Sequence, residues 1–184
     1  MSSTLGYALL GLLARQDRTG YQLTRALRAP IGHFWTASHS QVYPELAGLE
    51  ADGLVRHRVI EGPGPRDTKS YRITAVGRRV LADWVLTPAP SAPSRDEFLL
   101  RIYSLWTVDP QQAATVVAGR RDVYRAALEN YLDQERAMQD EFGEGLRDPG
   151  NPAFAAYATL RRGISFEQQA IAWCDWLLEA LAAG

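Results

Sequence analysis

Apolar residues in the first half of the chain recur every three or four positions, in short runs separated by polar and turn residues. Leu5, Leu9, Leu12 and Leu13 predict a helix from Ser3 to about Arg15, with Ser2, Ser3 or Thr4 as its cap. Gln16 to Arg18 read as a polar turn. Thr19 then caps a second helix over Gly20–Arg28 that turns Leu23 and Leu27 inward, and Pro30 and Gly32 end it. His33, Phe34 and Trp35 fall in the next loop, the aromatic rings expected beneath a third helix. That third helix, Ser38 to Gly53, sets Val42, Leu46 and Leu49 on one face at i, i+4 and i+7. Ser38 or Ser40 is available to cap it, and Gly53 stops it, because glycine turns left-handed without a steric penalty. Three short helices in this order describe a helix-turn-helix.

The period then changes from helical to alternating. Leu54 to Ile60 and Lys69 to Thr74 read as two strands around the turn cluster Glu61–Asp67, a β-hairpin with Arg66 and Lys69 at its tip and Tyr71 and Arg72 on its return strand. Behind the third helix such a hairpin is a wing. Ala75 to Leu86 is a helix with Val76, Val80, Leu81 and Trp84 along one stripe. Thr87 to Ser94 holds three prolines in eight residues and reads as a linker. The predicted division is therefore residues 1–86, a linker over 87–94, and residues 95–184.

Past the linker everything reads helical. Ser94 and Glu97 suggest a capping box for a helix containing Phe98, Ile102, Leu105 and Trp106. Asp109-Pro110 opens a second helix of some thirty residues, and Gly143 to Gly150 breaks it. Asn151-Pro152 opens a third, with Tyr157, Ile164, Ile171 and Leu178 at strict sevens. Leu160, Cys174 and Leu181 form its companion seam, which Glu167 interrupts. Phe166, Trp173 and Trp176 widen the apolar face. A seam of this width on two long helices predicts packing against the same helices of a second chain. The fold class is mainly α with a small β-hairpin, a winged helix-turn-helix followed by an α-helical dimerisation domain.

Charge sharpens the division. The net charge of −1 over 184 residues conceals a basic first part. Residues 1–85 carry eleven Lys and Arg against seven Asp and Glu, whereas residues 86–184 carry nine against fourteen. One part is suited to a polyanion and the other is not. Cys174 is the single cysteine, which excludes an internal disulfide and fits a reducing cytoplasm. No apolar run reaches about 18 residues, so no membrane span is expected. Tyr7 to Ala14 is short enough for a signal-peptide core but lacks basic residues before it and small ones after, and reads as a buried helix.

Several chemistries are excluded. Gly62 to Ser70 faintly matches a phosphate-cradling loop, but Thr68 stands where that loop needs glycine, and Pro63 and Pro65 remove backbone donors. His33, His39 and His57 lack the i, i+4 spacing of a metal-binding helix, and Cys174 has no nearby histidine. No nucleophile elbow or dinucleotide fingerprint is present. The expectation is a protein that is not an enzyme and needs no cofactor or metal. A protein–protein adaptor docking through its winged helix is the competing class.

The residues Leu10-Gly-Leu-Leu13, Gly20-Tyr-Gln-Leu23, Phe34-Trp35, Ser40-Gln-Val-Tyr-Pro-Glu-Leu46, Asp52-Gly-Leu-Val55 and Lys69-Ser-Tyr-Arg-Ile-Thr74 resemble the winged-helix domain of PadR-like transcriptional regulators. Residues 95–182, through Arg95-Asp-Glu-Phe98 and the Trp-rich last helix, are similar to the helical C-terminal domain shared with virulence-gene activators. The resemblance implies a homodimer on a pseudo-palindromic double-stranded operator, usually a repressor, released in many members by a small, often aromatic, effector. The wing tip departs from the Gly-Arg-Pro type of many members. Pro44 is shared with the family and suggests a kinked or late-starting helix.

Within this frame Gln41 and His39 are the expected base-edge readers, and Ser38, Ser40 and Tyr43 the expected phosphate or groove contacts. Arg66, Lys69 and Arg72 would neutralise phosphates from the wing. Trp84, Tyr103 and Trp106 lie near the linker, where they could line an effector cleft or simply form a core.

Overall fold

The structure, a computed structural model, describes residues 2–28, 39–61, 68–89 and 95–183. It divides into two compact units, Met1–Pro90 and Ser91–Gly184. The first unit runs α1 (Thr4–Arg15), β1 (Arg18–Thr19), α2 (Gly20–Arg28), α3 (His39–Ala51), β2 (Val55–Ile60), β3 (Thr68–Ile73) and α4 (Ala75–Leu86). The second runs α5 (Glu97–Tyr103), a 3₁₀ turn at Leu105–Thr107, α6 (Pro110–Phe142), a 3₁₀ turn at Gly143–Arg147, and α7 (Pro152–Ala182).

Local signals set most of these ends. Ser3 caps α1 by accepting from the Gly6 N–H at 3.1 Å. Thr19 and Gln22 make a reciprocal capping box, Gln22 N–H to Thr19 Oγ1 at 3.2 Å and Thr19 N–H to Gln22 Oε1 at 2.9 Å. At the end of α3 the Leu54 N–H reaches the Leu49 carbonyl and the Gly53 N–H that of Glu50, a Schellman closure. Gly53 takes the left-handed φ of 70° that this closure needs. α4 begins on Thr74, whose hydroxyl accepts from the Gly77 N–H.

The core of this unit gathers Leu9, Leu10 and Leu13 of α1, Leu23 of α2, Val42 and Leu46 of α3, and Tyr71 and Ile73 of β3. The sheet has the order β1-β3-β2, all antiparallel. A third strand was not expected. Arg18 and Thr19, read from sequence as the end of a turn and a cap, pair with Tyr71 and Ser70. The α4 stripe is only partly covered, since Val76 and Trp84 stay substantially exposed.

In the second unit Asp96 caps α5, accepting from the N–H groups of Phe98 and Leu99. Ser94 lies outside the described residues. α5 stops at Tyr103, so Leu105 and Trp106 belong to the following 3₁₀ turn. α6 and α7 start on Asp109-Pro110 and Asn151-Pro152, each with a side-chain cap. The two long helices pack antiparallel: Glu135 meets Tyr157 and Arg161 near one end, and Arg121 meets Asp175 near the other. Val117, Tyr124 and Cys174 are buried between them. Large apolar side chains remain exposed on this unit, among them Leu100, Val123, Phe166 and Trp176.

Candidate nucleic-acid interface

α3 is anchored on one side and open on the other. Val42 and Leu46 are fully buried, while Ser40, Gln41 and Tyr43 face out at its N-terminal end. Ser38 lies outside the described residues, and of His39 only its place as the first residue of the helix is described. The loop with His33, Phe34 and Trp35 is likewise outside. α3 does not start late: it begins five residues before Pro44, which sits inside it. The exposed start brings a hydroxyl, an amide and a phenol to the positive end of a helix dipole, with no acidic side chain in the first turn.

Tyr43, half exposed at 50%, is not a free-standing side chain. The polar end of its ring lies across Gly20, at the first turn of α2. A β-carbon built there would stand 2.5 Å from Cε1, 3.0 Å from Cζ and 3.2 Å from the hydroxyl oxygen. Beside it α2 exposes Tyr21, Gln22 and Arg25, since Leu23, Thr24, Ala26 and Leu27 take its buried side. Sequence reasoning missed Tyr21 and Arg25 as candidates. Their helical spacing from Leu23 and Leu27 was the signal that could have found them.

The wing residues separate by strand parity. In β3, Lys69 shares a face with Tyr71 and Ile73, which enter the helical core, so Lys69 lies on the side of α3. Arg72 is on the other face, directly across from Arg56 and beside Arg58. There it makes a bidentate pair with Asp17, Nε at 2.9 Å and Nη2 at 2.7 Å. Hydrogen bonding to Arg72 holds the Asp17 carboxyl below its ordinary range, and the same bond raises the Arg72 guanidinium. Arg72 is thus committed to the back of the wing, unlike the phosphate contact expected of it. Arg66 lies outside the described residues. Tyr71 is a core residue, 6% exposed, and burial pushes its phenol up.

A second polar contact ties the wing to α3. Glu50, near the end of α3, accepts the His57 backbone N–H at 2.9 Å and His57 Nδ1 at 2.7 Å. β2 is an edge strand, so this carboxylate takes up a donor on its open edge. Burial alone would raise the Glu50 carboxyl, but the bonds from His57 reverse the effect and hold it below its ordinary value.

The aromatics proposed for an effector fall in different units. Trp84 is in the first, stacked on Tyr7 with centroids 4.6 Å apart. Tyr103 and Trp106 are in the second, 83% and 85% exposed. The second unit also buries charge. Glu135 pairs with Arg161 at 2.8 Å and accepts from Tyr157 at 2.9 Å. Arg120 lies over the rings of Phe98 and Tyr124, 5.3 and 4.8 Å from their centroids. Glu167 is 8% exposed with Oε2 unpartnered, and burial pushes its carboxyl up while Arg120 opposes this. Among the described residues no group of three or more His, Cys, Asp or Glu could hold a metal ion, and no helix is long and apolar enough to cross a membrane.

Two families match, end to end. Residues 9–83 match the transcriptional regulator PadR-like family, and residues 94–182 the virulence activator alpha C-term family. A probable transcriptional regulator of Mycobacterium tuberculosis is 32% identical over 96% of this chain and 97% of its own. The negative transcriptional regulator PadR of Bacillus subtilis is 27% identical over 95% of each chain. Its crystal structure in complex with operator DNA superposes with a TM-score of 0.89, covering 97% of this chain and 99% of that one at 27% identity. Its complex with p-coumaric acid superposes at 0.81, with 26% identity and coverage of 98% and 99%.

Proposed function

Because this chain belongs to the PadR-like family of transcriptional regulators, which are not enzymes, we propose that it is a cytoplasmic, homodimeric repressor that releases its operator on binding a small aromatic effector. One observation carries the DNA-reading part: α3 has its core side fully buried and its polar, acid-free start exposed, in a fold matching a relative held on operator DNA. In such a fold the second helix of the motif enters the major groove and the wing follows the neighbouring backbone. Gln41 and His39 read base edges. Ser38, Ser40 and Tyr43 contact the backbone or groove, and Arg66 and Lys69 neutralise phosphates. Arg72 holds Asp17 instead.

Residues 1–86 are the DNA-binding domain, 87–94 the linker and 95–184 the dimerisation domain. Support for the dimer is the set of large apolar side chains that the α6–α7 hairpin leaves exposed, Val123, Phe166 and Trp176 among them. Two chains related by a two-fold axis would read a pseudo-palindromic operator. The p-coumaric acid bound by the Bacillus subtilis relative supports a small aromatic acid as the effector class.

The test is fluorescence anisotropy on the DNA upstream of the protein's own coding region, at two salt concentrations, for the wild type and Gln41→Ala. Tight, salt-sensitive binding that loses sequence preference in the variant is the expected result. No preference for this DNA, or for any duplex selected from a random pool, would overturn the reading in favour of a winged-helix adaptor.

A further inference from the structure

Gly20 is buried at the first residue of α2. The left-handed glycines among the described residues are Gly53 and Gly143, so the backbone at position 20 does not demand glycine. Space does. The ring of Tyr43 fills the volume that a β-carbon would take, with Cε1 at 2.5 Å, Cζ at 3.0 Å and the hydroxyl oxygen at 3.2 Å. The atoms in the way are the far end of a side chain with one half of its surface open, so an alanine would turn the ring aside without forcing the helices apart. The capping box of Thr19 and Gln22 and the Thr24 hydroxyl bond to the Gly20 carbonyl at 2.9 Å hold this turn of α2 independently of the ring.

We propose that Gly20 is a positioning residue for DNA binding: the gap it leaves seats the Tyr43 ring across the first turn of α2 and so aims its hydroxyl at a backbone phosphate. The inference rests on the DNA-binding reading above. In a helix-turn-helix the first helix crosses the DNA backbone while the second lies in the groove. A phenol carried by α3 but laid over the start of α2 stands where those two tracks meet, so its partner is a phosphate and not a base edge. Such a contact sets register and affinity but carries no sequence information.

The experiment compares the full-length wild type with Gly20→Ala, Tyr43→Phe and the double variant. Each is titrated by fluorescence anisotropy against the duplex that the wild type enriches from a random-sequence pool, and against a scrambled duplex; each is also melted thermally. Gly20→Ala and Tyr43→Phe should each bind both duplexes about tenfold more weakly, with the ratio between duplexes unchanged. The double variant should be no weaker than either single one, because the hydroxyl is lost once. Gly20→Ala should melt no lower than the wild type, since alanine is the better helix former. Losses that multiply in the double variant, or a Gly20→Ala defect accompanied by a lower melting point, would overturn the role while leaving DNA binding intact. A wild type that enriches no duplex removes the DNA-binding reading itself, and this role with it.

Discussion

Replacing Glu50 with alanine removes one carboxylate and two bonds. The first is accepted from the His57 backbone N–H at 2.9 Å, the second from His57 Nδ1 at 2.7 Å. Both side chains are partly shielded, at 32% and 27% exposure, so water can replace only part of what is lost. Hydrogen bonds to a charged group contribute about 1.5–3 kcal/mol, and partial access lowers the figure, so Glu50→Ala should cost about 2 kcal/mol. Glu50→Gln keeps an amide oxygen for the backbone donor and should cost about 1 kcal/mol. Since the contact joins the end of α3 to the edge of the wing, the loss should be local as well as global. Hydrogen exchange resolved by NMR should show the His57 amide exposed in Glu50→Ala, ahead of its β2 neighbours. The pH dependence has a definite sign. A carboxyl held low in the folded state stabilises above its unfolded value, about 4.3, and that contribution disappears as pH falls through the folded value. Urea titrations at pH 7 and pH 4 should therefore show the wild-type advantage over Glu50→Gln shrinking in acid. If His57 keeps its protection in Glu50→Ala and stability changes by less than about 0.5 kcal/mol, the contact ties nothing together.

The buried seam of the second unit gives the opposite sign. Burial raises Glu167, so its ionised form costs stability that grows as pH rises; Glu167→Gln should gain about 1 kcal/mol near pH 8, about 3 °C in melting temperature, and less at pH 5. Gly77→Ala should lower stability by about 2 kcal/mol, because its new methyl would overlap the Leu54 carbonyl oxygen and stand 2.9 Å from Ile73 Cγ1, whereas Gly48→Ala, with nothing within 4 Å, should gain about 0.5–1 kcal/mol; paired thermal melts decide. On DNA, Lys69→Ala should reduce the slope of log affinity against log salt by about one, and Arg72→Ala should leave that slope within error, so equal slopes for the two would refute the division of the wing into two faces.

Where local chemistry decides, the chain was legible in advance. The helix over Ala75–Leu86 and the starts at Asp109-Pro110 and Asn151-Pro152 follow from short-range caps and fixed proline φ angles, and they are found where expected. The inward set Val42, Leu46 and Leu49 followed from spacing alone. What escaped depends on partners distant in sequence. Two residues, Arg18 and Thr19, have no strand signal of their own and become one only through Tyr71 and Ser70. Arg72 reads as a free cation until Asp17, 55 residues away, is placed against it. At the start of α5 the cap is Asp96, whose carboxylate accepts from the Phe98 and Leu99 N–H groups, while the capping box anticipated on Ser94 falls outside the described residues. The exposed start of α3 was visible as composition, but the seating of Tyr43 on Gly20 needed the two helices set side by side.

The pairing of β1 with β3 also bears on how the protein is made. Arg18 and Thr19 leave the ribosome some fifty residues before the strand that completes them. α1 is already made by then and α2 and α3 are synthesised in the meantime, yet Tyr71 and Ile73, which close the core beneath all three, come only afterwards. Long-range closures of this kind slow folding because the loop entropy is lost before the contact forms. α3 therefore gains its fixed mount only when β3 has emerged. A nascent chain cut short before residue 68 would carry every residue of α3 and still lack the strand that holds it in place.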